Sequence, residues 1–354
     1  MQSKNHFLLI DFLKVFAALI IILHHLSSYG QLAEDARQFA PTIMNWLFEY
    51  GRFAVQIFLV MGGYLAAQSL TKTADLHNPR QALRLIINRY LRLFTPYVVA
   101  LLFTILCAWI TRFWVQDEFV GESETLGQFL AHLFFLQGIL GLDSISAGVW
   151  YVAIDWQLYA VLALMLGMFP NLRFLIWVAA ILIVASMLYF NRQSHYENYF
   201  IYFIGAYGLG VLACLAKTDA DTVLKRLALM LIAVIGVIIL LSSFHELWVR
   251  NILAYAVALL LILLGGFAYK NYNHTKMHNL VLGILWGSRR SYCAFLIHFS
   301  FILIANALYI ASGLSVHNNG AIALGFMLAA LGLSWVAANY LYRLVEVPTR
   351  QLKL

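Results

Sequence analysis

The sequence predicts an all-α, polytopic membrane helix bundle. Hydrophobic residues make up 63% of the 354-residue chain and charged residues only 11%, and the mean hydropathy is +0.81. This composition is typical of chains that span a membrane several times and excludes a soluble or disordered protein. The net charge of +7 does not indicate nucleic acid as a partner, because the basic residues fall in short segments between apolar runs.

Apolar runs of about twenty residues predict about ten membrane spans. They lie near residues 7–28, 52–70, 92–113, 148–168, 173–190, 198–215, 226–242, 250–269, 291–312 and 320–342. A further run at residues 126–142 is shorter, contains His132 and Gln137, and is interrupted by Gly138 and Gly141.

The distribution of basic residues decides whether residues 126–142 cross the membrane. With ten spans and a cytoplasmic N-terminus, the outer segments contain few basic residues, namely Arg37, Arg112, Arg192 and Arg250. An eleventh span at 126–142 would move seven basic residues that follow residue 215 to the outside, against the positive-inside rule. We therefore predict ten spans, cytoplasmic N- and C-termini, and an external re-entrant or interfacial helix at 126–142.

The first predicted span carries four ionisable residues, Asp11, Lys14, His24 and His25. Lys14 and His25 are eleven positions apart, so on a helix they share one face and are separated by about 16 Å along the axis. Charged groups inside a membrane usually mark a pathway or a reaction centre. The alternative for Asp11 and Lys14 is a self-neutralising pair near the interface, and His24 points about 100° away from His25.

Two arginines, Arg89 and Arg92, stand before Pro96 in the basic loop predicted at residues 72–92. Guanidinium groups three positions apart on one helix face suit the oxygens of a phosphorylated ligand such as a nucleotide or coenzyme A. The competing interpretation is that they anchor the loop to lipid headgroups.

Asp155 lies within a predicted span, in an aromatic segment that includes Trp150 and Tyr151. A carboxylate there requires a partner in the bundle, either an imidazole for chemistry or a cation in a structural salt bridge. His298, also within a span, is predicted to be a hydrogen-bonded core residue. Arg52, near the outer end of its span, is either an interfacial anchor or a contact for an anionic substrate group.

Taken together, these segments resemble the acyltransferase-3 family of bacterial membrane acyltransferases, which typically acylate sugar hydroxyls of cell-envelope polysaccharides. Lys14 and His25 match a basic residue, ten intervening residues and a histidine in the first span, with lysine where arginine is usual. Asp155 stands where a glutamate is usual. The other segments that carry the likeness are Arg89 and Arg92 with Pro96, Met61 to Tyr64, Trp150 to Tyr159, Ser291, Tyr292 and His298, and Glu346 with Pro348.

The resemblance implies that residues 1–354 form one integral-membrane acyltransferase domain of the bacterial inner (plasma) membrane. The enzyme would move an acyl group from cytoplasmic acyl-CoA to a hydroxyl of an envelope or secreted carbohydrate, and a lipid-linked glycan is one such acceptor. Acetyl is the expected group, with succinyl or another acyl group as the alternative. The resemblance implies that the reaction uses no metal ion and that the protein is surrounded by membrane lipid. The catalytic residues would be His25, as general base or transient acyl carrier, with Lys14 and Asp155. Arg89 and Arg92 would bind the donor phosphates. The acceptor would be bound by Arg52, Trp150 and Tyr151.

A transporter or flippase is the alternative from another functional class. It would use Asp11, Lys14, His25 and Asp155 as a proton or substrate relay, which also suits ten spans with intramembrane charge. The sequence shows no inverted repeat, which disfavours this alternative.

Overall fold

A computed structural model describes residues 8–73, 78–169, 171–218, 221–242, 246–264 and 278–350. Within these ranges the regular structure is entirely helical, which confirms the predicted fold class. In chain order the α-helices are α1 (Leu8–Leu26), α2 (Gly30–Phe39), α3 (Pro41–Tyr50), α4 (Val55–Leu70), α5 (Pro79–Trp114), α6 (Leu126–Leu133), α7 (Val149–Met168), α8 (Leu172–Leu188), α9 (Phe200–Leu215), α10 (Thr222–Ser242), α11 (Glu246–Leu264), α12 (His278–Ala311), α13 (Gly320–Leu341) and α14 (Val347–Thr349).

Eight helical segments in the described ranges are long and apolar enough to cross a membrane. They contain α1, α3 with α4, α5, α7, α8, α10, α12, and α13 with its C-terminal extension. The predicted spans near 198–215 and 250–269 correspond to the shorter apolar helices Phe200–Leu215 and Val249–Leu264; residues 265–269 lie outside the described ranges. Ten spans and the cytoplasmic termini therefore remain predictions.

Helix α5 is longer than the apolar run that predicted it. The segment 79–92, predicted as part of a basic loop, is instead the first part of α5. Asn78 caps this helix by accepting a hydrogen bond from the amide of Arg80 at 2.9 Å, and Pro79 occupies the first turn, where its missing N–H costs nothing. The loop prediction was wrong because hydropathy marks only the lipid-embedded part of a helix, whereas α5 begins where Asn78 caps its backbone.

The segment 126–142 contains only the eight-residue helix α6, followed by turns. Thr125 and Gln128 form a capping box at its start. Eight residues rise about 12 Å, well short of the 30 Å hydrocarbon core. The segment therefore does not cross the membrane as a helix, in agreement with the prediction from charge.

Close packing of α4 on α9 forms the middle of the bundle. A Cβ atom on Gly210 would lie 1.9 Å from the carbonyl oxygen of Val60, and one on Gly63 would lie 1.9 Å from that of Tyr207. Small residues allow this backbone approach between apolar helices. Beside this pair, α12 packs against α1 and α5, and α5 packs against α7, so α12 lies between the polar residues of α1 and the helices α5 and α7.

Candidate active site

The imidazoles of His25 and His298 are in direct contact where α1 meets α12. Nδ1 of His25 lies 2.6 Å from Nε2 of His298, and the two rings are nearly parallel, with centroids 4.9 Å apart. Exposure is 8% for His25 and 0% for His298. Two histidines that are 273 positions apart in the sequence thus form one buried pair.

Hydrogen bonding fixes the tautomers of this pair when both rings are neutral. Nδ1 of His298 lies 2.8 Å from the carbonyl oxygen of Phe295, which only accepts, so Nδ1 of His298 carries the proton and Nε2 has the lone pair. That lone pair accepts the Nδ1–H of His25. Nε2 of His25 is therefore unprotonated and available as a base or nucleophile.

The beginning of α7 lies against this pair. Gly148 caps α7 with φ of +89°, and a Cβ atom there would lie 3.0 Å from Phe295 Cζ and 3.5 Å from His25 Cε1. Glycine is therefore required both for its backbone conformation and for the close approach. The partial positive charge of the helix N-terminus is placed beside His25.

The structure separates the two predicted aromatic site residues of α7. Tyr151 packs on Phe295 of α12 and on Phe58 of α4, with ring centroids 5.7 and 5.9 Å away. Trp150 instead stacks on Phe203 of α9 at 5.4 Å. Tyr151 thus contacts the helix that carries His298, whereas Trp150 packs against another neighbour of α7.

Asp155 lies about 10 Å further along α7 from Gly148 and pairs with Arg89 of α5. Nη2 of Arg89 is 2.5 Å from Oδ2 of Asp155, and the guanidinium also lies 5.4 Å from the ring centroid of Tyr159. The sequence left open whether Asp155 pairs with an imidazole or with a cation. In the structure its partner is the guanidinium of Arg89. Nε of Arg89 is buried and makes no hydrogen bond with a described residue.

A basic cluster lies around Lys14 of α1 and includes Arg89 and Arg92 of α5. Lys14 is within electrostatic range of the carboxylate of Asp11 and of three guanidinium groups, those of Arg89, Arg92 and Arg350. Arg350 binds Glu346 at 2.7 Å, whereas Lys14 and Arg92 form no ion pair with another described residue. The cluster can therefore accept an anionic ligand.

Asp11 and His24, the other two ionisable residues of the first span, each have a hydrogen-bond partner outside the His25–His298 pair. Asp11 accepts a hydrogen bond from the hydroxyl of Ser288 in α12. Nδ1 of His24 lies 3.0 Å from the carbonyl oxygen of Leu47, outside the His25 pair. Arg52, at the other end of the bundle, is exposed and lies over the ring of Phe53 at 5.3 Å.

Sequence reasoning missed the role of His298. A lone histidine within an apolar run is usually a hydrogen-bonded core residue, and His298 is one, but its partner is the predicted reactive residue. The sequence signal was its place, with Ser291 and Tyr292, in one of the segments that carry the family resemblance. A single sequence gives no information on which distant residue it contacts.

These features define a class of protein: an integral-membrane helical bundle with an oriented, unprotonated imidazole nitrogen that lies about 16 Å along one helix from a basic cluster. A family model described as an acyltransferase domain matches residues 7–339, nearly the whole chain. The chain belongs to this family, acyltransferase-3, and is a membrane acyltransferase. No curated protein and no solved structure matches it significantly.

Proposed function

We propose that this chain transfers an acyl group, acetyl in the first instance, from acyl-CoA on the cytoplasmic side to a carbohydrate hydroxyl on the outer side of a bacterial inner membrane. The observation that carries the proposal is the lone pair on Nε2 of His25, fixed by His298 at the end of α1 remote from the basic cluster. On the predicted topology that end is the outer one, and the basic cluster is cytoplasmic.

The basic cluster supports the donor assignment. Lys14 and Arg92 have no ion-pair partner among the described residues, and Arg89 keeps one buried N–H without a hydrogen bond. These groups would bind the phosphates of acyl-CoA, for which guanidinium forks are well suited. The linear arm of the donor would then pass the Arg89–Asp155 pair and cover the roughly 16 Å between Lys14 and His25.

The same lone pair on His25 serves two chemical routes. In direct transfer, Nε2 takes the proton of the acceptor hydroxyl while its oxygen attacks the thioester carbonyl, and the C–S bond breaks to release the thiolate of CoA, which the imidazolium reprotonates. In the two-step route Nε2 itself attacks the thioester carbonyl, and the C–S bond breaks to release the thiolate of CoA. The acceptor oxygen then attacks the acyl carbon, the bond between this carbon and Nε2 breaks to restore the lone pair of His25, and the proton of the hydroxyl passes to the CoA thiolate. In both routes the N-terminus of α7 would stabilise the negative charge that develops on the carbonyl oxygen.

Arg52 and Tyr151 are the acceptor contacts that we infer from the predicted set. Tyr151 lies on the side of α7 that faces the helix of His298, and Arg52 lies at the outer end of the bundle. Trp150, packed on Phe203, would contact an acceptor only from the other side of α7.

Radiolabelled acetyl-CoA and the purified protein in lipid vesicles test this proposal. His25→Ala should abolish transfer with donor binding kept, because the lost base supplies about 10²- to 10⁴-fold in rate. Arg89→Ala should weaken donor binding, whereas Arg80→Ala, an exposed residue of the same helix, should leave it unchanged.

Two results would contradict the enzyme assignment. One is movement of a carbohydrate across the vesicle membrane with neither donor binding nor acyl transfer, which the transporter alternative predicts. The other is an equal loss of thermal stability in His25→Ala and Arg89→Ala, which would assign both residues a structural role.

A further inference from the structure

A notch opens beside the first two turns of α7, between the turn that follows α6 and the turn that precedes α9. Both turns are outer on the predicted topology. Polar groups line the notch together with one indole ring, and they belong to Gln137, Gln157, Glu197, Asn198 and Trp150. Its open volume of about 240 Å³ is just below the roughly 300–1,000 Å³ of a site for a whole small molecule. The notch therefore suits one unit of a larger ligand.

The notch and His25 lie on opposite sides of the start of α7. Trp150 and Gln157 are seven positions apart and so share one face of this helix. Gly148, which borders His25, lies about 160° around the helix axis from Trp150. A helix with its side chains is about 10–12 Å across, so a chain of several sugar units that crosses the N-terminus of α7 reaches both places.

Gln137 is a buried polar residue of the notch whose hydrogen-bonding capacity is not used up. Its exposure is 1%, yet neither end of its amide makes a hydrogen bond of normal geometry with a described residue. The hydroxyl of Tyr97 lies beside it and can serve only one end of the amide, either the oxygen or the NH₂ group. A buried polar group without a partner costs about 1–3 kcal/mol, and a ligand hydroxyl in the notch would relieve this cost.

Two other polar residues of the notch are held in place by contacts outside it. Oε1 of Gln157 accepts the amide N–H of Phe200 at 3.0 Å, so its NH₂ group is the end left to donate to a ligand. Oε1 of Glu197 accepts the hydroxyl of Tyr202 at 2.9 Å, which leaves the second carboxylate oxygen as an acceptor. Donors and acceptors thus stand at fixed positions, as in sites that orient a ligand through a few polar groups.

The charge and the aromatic wall of the notch define the ligand further. Glu197 is the one charged side chain among the described residues that line it; a carboxylate accepts from hydroxyls and repels an acidic ligand. Trp150 is half-buried and is supported by Phe203, with ring centroids 5.4 Å apart, so it offers an apolar surface. An uncharged ligand with hydroxyl groups and a C–H face fits this lining.

We propose that this notch binds a neutral sugar unit of the acceptor glycan, a short distance along the glycan from the unit that is acylated at His25. Hydroxyls of the bound unit form hydrogen bonds with Gln137, Gln157 and Glu197, and its ring packs on Trp150. This inference rests on the proposed function and specifies the acceptor as an oligosaccharide that is neutral at the bound unit.

Binding to the purified protein in lipid nanodiscs is measured without donor. The probes are neutral tetrasaccharides of glucose, galactose, mannose and N-acetylglucosamine, and a tetrasaccharide of glucuronate. A neutral probe should bind more tightly than the glucuronate. Gln137→Leu keeps the size of the side chain but removes the amide, so it should weaken binding of that neutral probe by about 5- to 150-fold. Its thermal stability should stay the same or rise, because a buried group without a full set of partners is removed.

Gln193→Leu is the matched control, because it makes the same chemical change at an exposed outer position. It should leave binding of every probe unchanged. Glu197→Gln keeps an acceptor for the hydroxyl of Tyr202 but removes the charge, so it should raise the affinity for glucuronate by up to about fivefold.

Three results would overturn the inference. They are binding of no neutral probe, normal binding of the neutral probes by Gln137→Leu, and a loss of thermal stability in Gln137→Leu that accounts for its loss of binding. The last result would assign Gln137 a structural role.

Because binding is measured without donor, this inference and the proposed function fail separately. Gln137-dependent binding of a neutral probe without any acyl transfer would retain the sugar subsite and reject the acyltransfer chemistry. Acyl transfer to that probe by Gln137→Leu with an unchanged KM would do the reverse.

Discussion

Replacing His298 by leucine should disable His25 without removing it. Leucine resembles histidine in size but offers no acceptor for the Nδ1–H of His25, which now lies 2.6 Å from Nε2 of His298. A buried donor without a partner costs about 1–3 kcal/mol, and relief of this cost favours the tautomer with the proton on Nε2. If the reactive tautomer becomes less stable than the other by this free energy, the rate of transfer falls by about 5- to 150-fold.

Glutamine at the same position should rescue the activity. In His298→Gln the side-chain oxygen can take the place of Nε2 and accept the Nδ1–H of His25, so we expect a rate within about threefold of the unaltered protein. His25→Ala should lose the full contribution of the base, about 10²- to 10⁴-fold. The double variant His25→Ala/His298→Leu should be no slower than His25→Ala, because His298 acts through His25.

Single-turnover transfer from labelled acetyl-CoA measures these rates, with donor binding and thermal unfolding followed in parallel. Nitrogen-15 NMR of histidine-labelled protein reports which ring nitrogen of His25 carries the proton, and the signal should change in His298→Leu but not in His298→Gln. The tautomer argument is refuted if a folded His298→Leu variant transfers at the normal rate. It is also refuted if His298→Leu lowers the transfer rate by the same factor in the unaltered protein and in the His25→Ala variant.

Two further predictions concern stability. Gly210→Ala should destabilise the bundle by about 1–3 kcal/mol, because its Cβ would lie 1.9 Å from the carbonyl oxygen of Val60, and thermal unfolding in detergent measures the loss. Burial lowers the pKa of His132 below its usual 6.5, so the unfolded segment binds a proton that the folded segment does not. The free energy of opening at Ile145, whose amide donates to Nε2 of His132, should therefore fall below pH 6.5 by up to about 1.4 kcal/mol per pH unit, as measured by hydrogen exchange.

Each of these predictions has a control in the chain. Gly332 has open space around its Cβ position, so Gly332→Ala should raise stability by about 0.5–1 kcal/mol, and a similar loss in both glycine variants would reject the close-packing argument. His132→Gln should remove the pH dependence of exchange at Ile145. An unchanged dependence in that variant would assign it to another group.

Several parts of the site were accessible from the sequence because they depend on local properties. The apolar runs located the spans, since the cost of exposing polar groups to lipid applies residue by residue. The charge of Lys14, Arg89 and Arg92 within or beside those runs marked the basic cluster, and the spacing between Lys14 and His25 gave the separation of the two ends.

The tertiary structure alone decided which polar groups meet. His25 bonds His298, and Asp155 bonds Arg89, a residue 66 positions away, although an imidazole was an equally open partner on the sequence. The reason is that helices such as α7 and α12 have apolar residues on every side and no single apolar face, so hydropathy does not indicate which face meets which neighbour. In a membrane that choice depends on steric fit between backbones, as at Gly63, and on the pairing of buried polar groups. Neither is a property of one segment, so the sequence determined where the chain enters the membrane and which charges it carries there, and the packing determined what those charges do.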